Sequence, residues 1–498
     1  MLFPWCSLIW GVKIANLFIW REFERLTLYL EFSSRILSQQ FSFSLLKKKP
    51  IAMVVNQLKP IPNLPKSDLP KIVIVGAGFG GLKLARKLSN HPFQVILFDK
   101  NNFHQFQPLF YQVATAGLEP SAISFPLRKI FHNSKNVTFR MAEVSHVESD
   151  KKRIHTDMGY LDYDYLVLAM GADTNYFGSE TIEHFASPMK TVSEALFIRN
   201  KIISNYERAI NIERMEDRKS LMNMVIVGGG PTGVELAGAM AELRNNVFPK
   251  DYPELSFKNM KVVLIEAGPA VLGSMSQESQ EHALSYLKGL GVEVMVNTLV
   301  KDYDGKVVSL EGGAILETDT LLWAAGIKPN IIAGLPEDKY APNGRIIVDE
   351  FSEIPGMNGV FVLGDISLMI GDRYPKGHPQ VAQTALQQAD NLAENLLRVE
   401  RGKQRKPFSY KDLGSMATVG RKLAVVDLPF LKFQGFLAWI TWLLVHLMAI
   451  LGVKNKLLIF LDWSWNYLHF DPSLRLLIKP RLVKDIGSKM TNAKELPD

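Results

Sequence analysis

The 498-residue sequence predicts an α/β fold in which a strand–turn–helix–strand unit occurs twice. Two observations predict it. At two places an unbroken apolar run leads into a glycine-rich turn and then a helical pattern. At both, a second apolar run follows and ends on an acidic residue. A third observation concerns the ends of the chain. The formal net charge of +7 is uneven: residues 1–50 hold seven Lys/Arg and three Glu, and residues 421–498 hold eleven Lys/Arg and six Asp/Glu. The body between them is therefore net −2. Seven of the eight tryptophans also lie near the ends, with Trp323 alone between. A nucleic-acid binder would carry its charge on a folded face, so no nucleic-acid partner is expected. Basic, tryptophan-rich ends suit a membrane surface instead.

Residues 1–70 form an extension. Residues 1–20 are apolar but broken by Lys13, and no small-x-small cleavage site follows them. The segment reads as a signal-like stretch, an amphipathic anchor, or a piece foreign to the native protein, with Met53 as the natural start. Pro60, Pro62, Pro65 and Pro70 predict an extended, unpacked linker. The single cysteine, Cys6, excludes an internal disulfide framework and a cysteine-built metal site, and no metal is expected.

Lys71-Ile72-Val73-Ile74-Val75 has the composition of a strand buried on both faces of a parallel sheet. Gly76, Gly78 and Gly81 follow, then a helix from Leu82, then Gln94 to Phe98 ending in Asp99. The second unit runs from Met224 through Gly228, Gly230 and Gly233 and a helix over 234–243 to Lys261–Ile265, ending in Glu266. Residues 245–258, with Pro249 and Pro253, read as an inserted loop. In this pattern the first glycine permits a tight turn, the second lets backbone approach a pyrophosphate, and the third lets helix and strand pack closely. The pyrophosphate then lies on the helix N-terminus. Asp99 and Glu266 would accept hydrogen bonds from ribose hydroxyls, and Glu266 would repel a 2′-phosphate, favouring NADH over NADPH. Two such units make the chain a carrier of two Rossmann-like dinucleotide-binding domains. Strands ending in Ala169-Met170-Gly171, Ala324-Ala325-Gly326 and Gly364-Asp365 complete the frame. A carboxylate at Asp365 suits a ribityl hydroxyl of a flavin.

This order resembles the two-dinucleotide-domain flavoproteins. The resemblance implies that the first unit binds FAD, the second binds NADH, and the FAD domain resumes afterwards. The corresponding division is 71–200 and 327–415 for a discontinuous FAD domain, 201–326 for an inserted NADH domain, and 416–498 for a helical membrane-anchoring region. Two segments narrow it: His104-Gln105-Phe106-Gln107-Pro108-Leu109-Phe110-Tyr111-Gln112-Val113-Ala114 and Gly377-His378-Pro379-Gln380-Val381-Ala382-Gln383-Thr384-Ala385-Leu386-Gln387-Gln388. Both resemble motifs of the type II, non-pumping NADH:quinone oxidoreductases, over about Lys71 to Ile478. Met170 departs from the threonine more usual there. The resemblance implies hydride transfer from NADH to FAD and then two electrons to a lipid quinone. It places Glu235 near the nicotinamide–flavin stack, with a first-turn acid as the plainer reading. Gln383 and Gln387, four apart on one helical face, would hold a quinone carbonyl. The helix that begins near Pro379 would aim its positive dipole end at the flavin. His378 reads as an exposed loop residue or a proton carrier.

Phe433 to Val453 contains no Asp, Glu, Lys or Arg, long enough to span a bilayer, but Trp439, Trp442, Lys454 and Lys456 favour helices lying in the membrane surface. The expected location is peripheral, on the cytoplasmic face of a bacterial inner membrane. A homodimer through these helices is the competing use of the apolar face. Two other functions share the frame. One is a flavoprotein with a sulfide:quinone or ferredoxin-type acceptor, which the lack of a cysteine pair opposes. The other is a non-catalytic NADH sensor.

Overall fold

Strand Lys71–Val75 lies at the centre of a five-stranded parallel sheet, with Gln94–Asp99 on one side and Tyr165–Leu168 on the other. Ile72, Val73 and Ile74 are fully buried, which is why the run is apolar without alternation. Val137–Met141 and Val360–Val362 close the two edges. The chain thus leaves this sheet, builds a second one, and returns. The second parallel sheet has the order Ser187–Pro188, Thr320–Trp323, Met224–Val227, Val262–Ile265, Glu293–Met295. It takes in residues upstream of position 201. An antiparallel ribbon, Ala172–Thr174 with Ile327–Pro329, lies on the chain path between the two sheets.

The structure is a computed structural model and describes residues 59–469 and 474–477. Cys6, Lys13, Met53 and the three N-terminal tryptophans, with the readings made of them, lie outside the described residues.

Two expectations are corrected. The proline-punctuated linker does pack. Ile61 is buried and its N–H donates to Tyr160 O at 2.9 Å, while Gln94 Nε2 donates to Pro65 O and Arg140 Nη2 to Asn63 O. Proline stiffens a chain and removes donors, but its carbonyls and those of its neighbours still accept. The stretch 245–258 is not a bare loop either. Helix Pro231–Asn246 runs past the expected end, and a short helix, Phe248–Asp251, follows with Pro249 in its first turn, where a missing N–H costs nothing. Tyr206, Phe248, Tyr252 and Phe257 pack there, with ring centroids 4.5 to 6.4 Å apart.

Beyond residue 414 a three-stranded antiparallel sheet (Ser415–Gly420, Leu423–Asp427, Lys432–Gln434) leads into helices Phe436–Ala449 and Val453–His469. Helix Pro231–Asn246 lies directly on Ser415–Gly420. A Cβ on Gly238 would sit 1.7 Å from Val419 O, so only glycine permits this approach. Among the described residues no helix is long and apolar enough to cross a membrane. The 21-residue uncharged stretch is instead divided at Ile450–Gly452, where Gly452 takes φ +79°.

Candidate active site

Both glycine turns have the geometry of a dinucleotide cradle. Gly76 has φ +101°, and a Cβ there would lie 2.3 Å from Ala169 O; Gly228 has φ +108° and would meet Ala324 O at 2.5 Å. A Cβ on Gly81 would lie 1.9 Å from Gly76 O, and one on Gly233 1.8 Å from Gly228 O. These four positions are closed by the protein's own backbone. Gly78 and Gly230 differ: a Cβ at either meets nothing within 4 Å. Each opens onto free space at the N-terminus of a helix that has no side-chain cap and no acidic residue in its first turn. Unsatisfied N–H groups and the positive dipole end therefore face open space, the arrangement that favours an anion.

The two acids secure the turns. Asp99 Oδ2 accepts from Ala77 N and Oδ1 from Asn101 N, both at 2.7 Å. Burial raises the Asp99 pKa against the pull of these amides. Glu266 accepts from Gly229 N at 2.5 Å and Gly268 N at 2.6 Å. Each oxygen keeps a lone pair for a ribose hydroxyl. Asp365 follows strand Val360–Val362, and its carboxylate makes no hydrogen bond to the described residues. Burial raises its pKa, opposed by Lys190 and Arg345. Gly171 (φ +67°) also opens onto free space, with nothing within 4 Å of a Cβ built there. Two open cradles, two ribose-type acids and a free carboxylate at a strand end fit FAD in the first unit and NADH in the second.

Helix Ala382–Glu400 packs its first turns against helix Phe79–Lys87 and Gly364: Ala385 O lies 3.4 Å from a Cβ built on Gly80, and Ala385 Cβ 3.2 Å from one built on Gly364. Its uncapped N-terminus is thereby brought to the FAD side. Gln383 and Gln387 share a face, as their spacing requires, but their amides are not free in this structure. Gln383 donates to Gly414 O and accepts from Leu413 N; Gln387 donates to and accepts from Lys411. Both hold the loop before strand Ser415–Gly420. His378 is not an exposed loop residue. It is buried among Tyr374, Phe408 and Tyr410, with centroids 4.6 to 5.6 Å away, and burial lowers its pKa.

A cavity of ≈ 160 Å³ lies where helix Pro231–Asn246, helix Phe110–Ala114 and the C-terminal helices meet. Glu235 lines it, 8% exposed, and accepts from Thr418 N at 3.4 Å. Burial raises its pKa to about 8, the Thr418 amide opposing. The indole of Trp442 approaches the same carboxylate without closing a hydrogen bond. Glu242, seven residues on and so on the same helix face, lines the cavity too. Burial raises its pKa to about 7, offset by the Arg421 N–H that it accepts. Trp463 Nε1 donates to Gln112 Oε1 at 2.7 Å, Gln112 Nε2 to Tyr111 Oη at 2.9 Å, and Tyr111 Oη lies 3.3 Å from Thr418 Oγ1. A second, apolar cavity shares Trp439, Leu443, Trp463 and Tyr467 with it as lining residues. Sequence reading missed Glu242, Tyr111 and Gln112 as site residues. The i, i+7 spacing of Glu235 and Glu242 was the available signal for the first of these.

The sequence profile of the pyridine nucleotide-disulphide oxidoreductases matches residues 70–389, and that of the NDH2 C-terminal domain matches residues 413–469. A type II NADH:quinone oxidoreductase of Mycobacterium tuberculosis is 34% identical over 80% of this chain and 88% of its own. The chain belongs to the type II NADH:quinone oxidoreductases. An internal alternative NAD(P)H-ubiquinone oxidoreductase of Arabidopsis thaliana is 27% identical over 91% of this chain and 95% of its own. The solved NDH2 of Plasmodium falciparum in complex with NADH superposes with a TM-score of 0.76, at 22% identity, over 82% of this chain and all of that one. The sulfide:quinone oxidoreductase of Aquifex aeolicus shares the fold at a TM-score of 0.62 and 18% identity, over 84% of this chain and 98% of that one. In this family the C-terminal match covers the sheet and both helices that wall the cavity.

Proposed function

We propose that the chain oxidises NADH and reduces a lipid quinone by two electrons without moving protons across a membrane. Bound FAD supplies the two-electron carriage between the substrates. The chain's own residues do the rest. Gly76, Gly78, Gly81, Asp99, Gly171 and Asp365 hold FAD; Gly228, Gly230, Gly233, Glu266 and Gly326 hold NADH. The N-terminus of helix Ala382–Glu400 favours negative charge at the flavin. Glu235, protonated near neutral pH, holds a proton at its carboxyl for the quinone, which takes up two protons with its two electrons. Gln383 and Gln387 shape the quinone side by fixing residues 411–414. The single observation that carries the reading is the pair of open cradles, each with its own sheet, acid and uncapped helix.

The quinone tail needs an apolar route, and the C-terminal helices offer one. Leu437, Met448, Val453 and Leu468 are 70 to 84% exposed on them. This face with Lys454 and Lys456 suits headgroup and acyl boundary. In this reading the protein sits on the cytoplasmic face of the bacterial plasma membrane, where NADH is available. A Leu437→Glu, Met448→Glu double variant is expected to leave anionic liposomes in a flotation assay while keeping its flavin. Its persistence on the vesicles would refute the docking face. Light scattering of the detergent-solubilised wild-type protein beside the double variant reads whether the same face joins two copies; a wild-type dimer lost in the variant would give the face to the competing use.

Steady-state oxidation of NADH and NADPH with a short-chain quinone tests the activity. NADH is expected to win by about 10²-fold in kcat/KM, since Glu266 cannot accept a 2′-phosphate. Glu266→Gln should narrow the gap to within tenfold, chiefly by raising KM for NADH. An unchanged ratio would remove Glu266 from its role.

A further inference from the structure

Phe177 is held in a conformation that a phenylalanine does not adopt without a reason. Its φ is +53°, in the left-handed region where a bulky side chain is an outlier. Its side chain is 69% exposed, so burial does not compensate. The backbone around it is pinned. Phe177 N donates to Asn175 Oδ1 at 2.9 Å, Trp323 Nε1 donates to Asn175 O at 2.8 Å, and Asn175 N donates to Gly326 O at 3.3 Å. The Phe177 ring meets Trp323 edge-on at 6.5 Å, and Tyr176 packs on Trp323 at 6.3 Å.

The ring's position matters more than its strain. Its Cζ lies 3.1 Å from where a Cβ of Gly326 would be. Gly326 follows strand Thr320–Trp323, the parallel neighbour of Met224–Val227, which leads into Gly228. Strand order reverses between these two strands: from Met224–Val227 the chain goes next to Val262–Ile265 on the other side. In an open α/β sheet the ligand lies in the crevice beyond the carboxyl ends at that reversal. The ring therefore covers the backbone that a dinucleotide in the second cradle must approach. Gly178 (φ +84°) follows it directly and allows the short segment to turn. Strain without burial, concentrated at a ligand crevice, marks a residue kept for function.

We propose that Phe177 is an aromatic flap of the NADH crevice, lifting from Gly326 to admit the dinucleotide and closing over it once bound. This rests on the NADH reading of the second glycine turn. The flap holds NADH and shields it from water, and it touches nothing on the quinone side.

Calorimetric titration of the flavin-loaded protein with NAD⁺ tests the flap. Phe177→Ala is expected to weaken NAD⁺ binding about 5–10-fold, the size of a lost aromatic contact. KM for NADH should rise with it, while KM for the quinone stays put. Phe177→Tyr should restore binding. Phe177→Gly should raise the melting temperature by removing the strain, yet bind NAD⁺ as poorly as Phe177→Ala. Should the alanine variant prove poorly folded, the glycine variant decides. Wild-type affinity in the glycine variant would overturn the flap. No NAD⁺ binding by the wild-type protein would instead overturn the NADH reading itself.

Discussion

Glu235→Gln is expected to slow quinone-dependent NADH oxidation by about 10²- to 10³-fold, the range of a lost general acid. Flavin reduction by NADH should stay within a few-fold of wild type. The carboxyl is buried, its one backbone donor is the distant Thr418 amide, and its pKa is raised to about 8. It therefore carries a proton at neutral pH, and its wild-type contribution should fall away as pH rises through 8. Glutamine keeps the shape but holds no transferable proton, so the variant should lose this pH dependence. The same residue makes a stability prediction of definite sign. A carboxyl whose folded pKa lies above its unfolded value binds more protons folded than unfolded. Its contribution is intact below pH 4.5 and is lost as pH rises to about 8. Glu235→Gln should thus melt above wild type by an increasing margin from pH 5 to 8.5, on the order of a few kcal/mol at the top. A constant margin across that range would contradict the buried, protonated state. Stopped-flow traces of the two half-reactions and a pH series of melts read all of this.

Gly78→Ala and Gly81→Ala should fail in different ways. A methyl group at Gly78 meets no protein atom, so the variant should fold and melt as the apo wild type does. The methyl would stand in the space where the pyrophosphate must approach the helix N-terminus, and FAD affinity should fall by at least about 100-fold. At Gly81 the methyl would lie 1.9 Å from Gly76 O, so helix Phe79–Lys87 cannot keep its place on strand Lys71–Val75. That variant should lose more than about 4 kcal/mol, or not accumulate. Flavin content by absorbance and apo melting temperature separate the two. Normal flavin content in Gly78→Ala would mean that the open space at the turn is not a cofactor cradle.

What the sequence made legible follows from locality. Strands Lys71–Val75 and Met224–Val227 carry their burial in unbroken aliphatic runs, and the jobs of Gly76, Gly81, Gly228 and Gly233 are set by contacts within the same unit or with the strand beside it. The C-terminal stretch was legible as apolar helices, and among the described residues neither is long and apolar enough to span a bilayer. Less local features were hidden. Glu235 owes its raised pKa to burial, and the groups beside it that oppose the rise, Thr418 and Trp442, lie about 180 and 200 positions away, so spacing alone could not tell a first-turn acid from a buried one. Gln383 and Gln387 were rightly placed on one face, but what their amides bind depends on where residues 411–414 run. His378 is a loop residue whose burial the sequence did not show, because two of the aromatics that bury it, Phe408 and Tyr410, lie about thirty positions away. Prolines misled twice. Pro249 marks an inserted loop in the sequence but lies in the first turn of helix Phe248–Asp251, and Pro62 and Pro65 suggest an unpacked linker where Ile61 enters the core.

The most direct test of the central reading is anaerobic and uses the membrane-extracted holoprotein. NADH is added to one equivalent and flavin absorbance near 450 nm is followed; a short-chain quinone is then added. The flavin is expected to bleach within the mixing time and to return fully with quinone, over repeated cycles. A flavin that bleaches once and does not recover with quinone would contradict NADH:quinone oxidoreduction and favour a sensor or another acceptor.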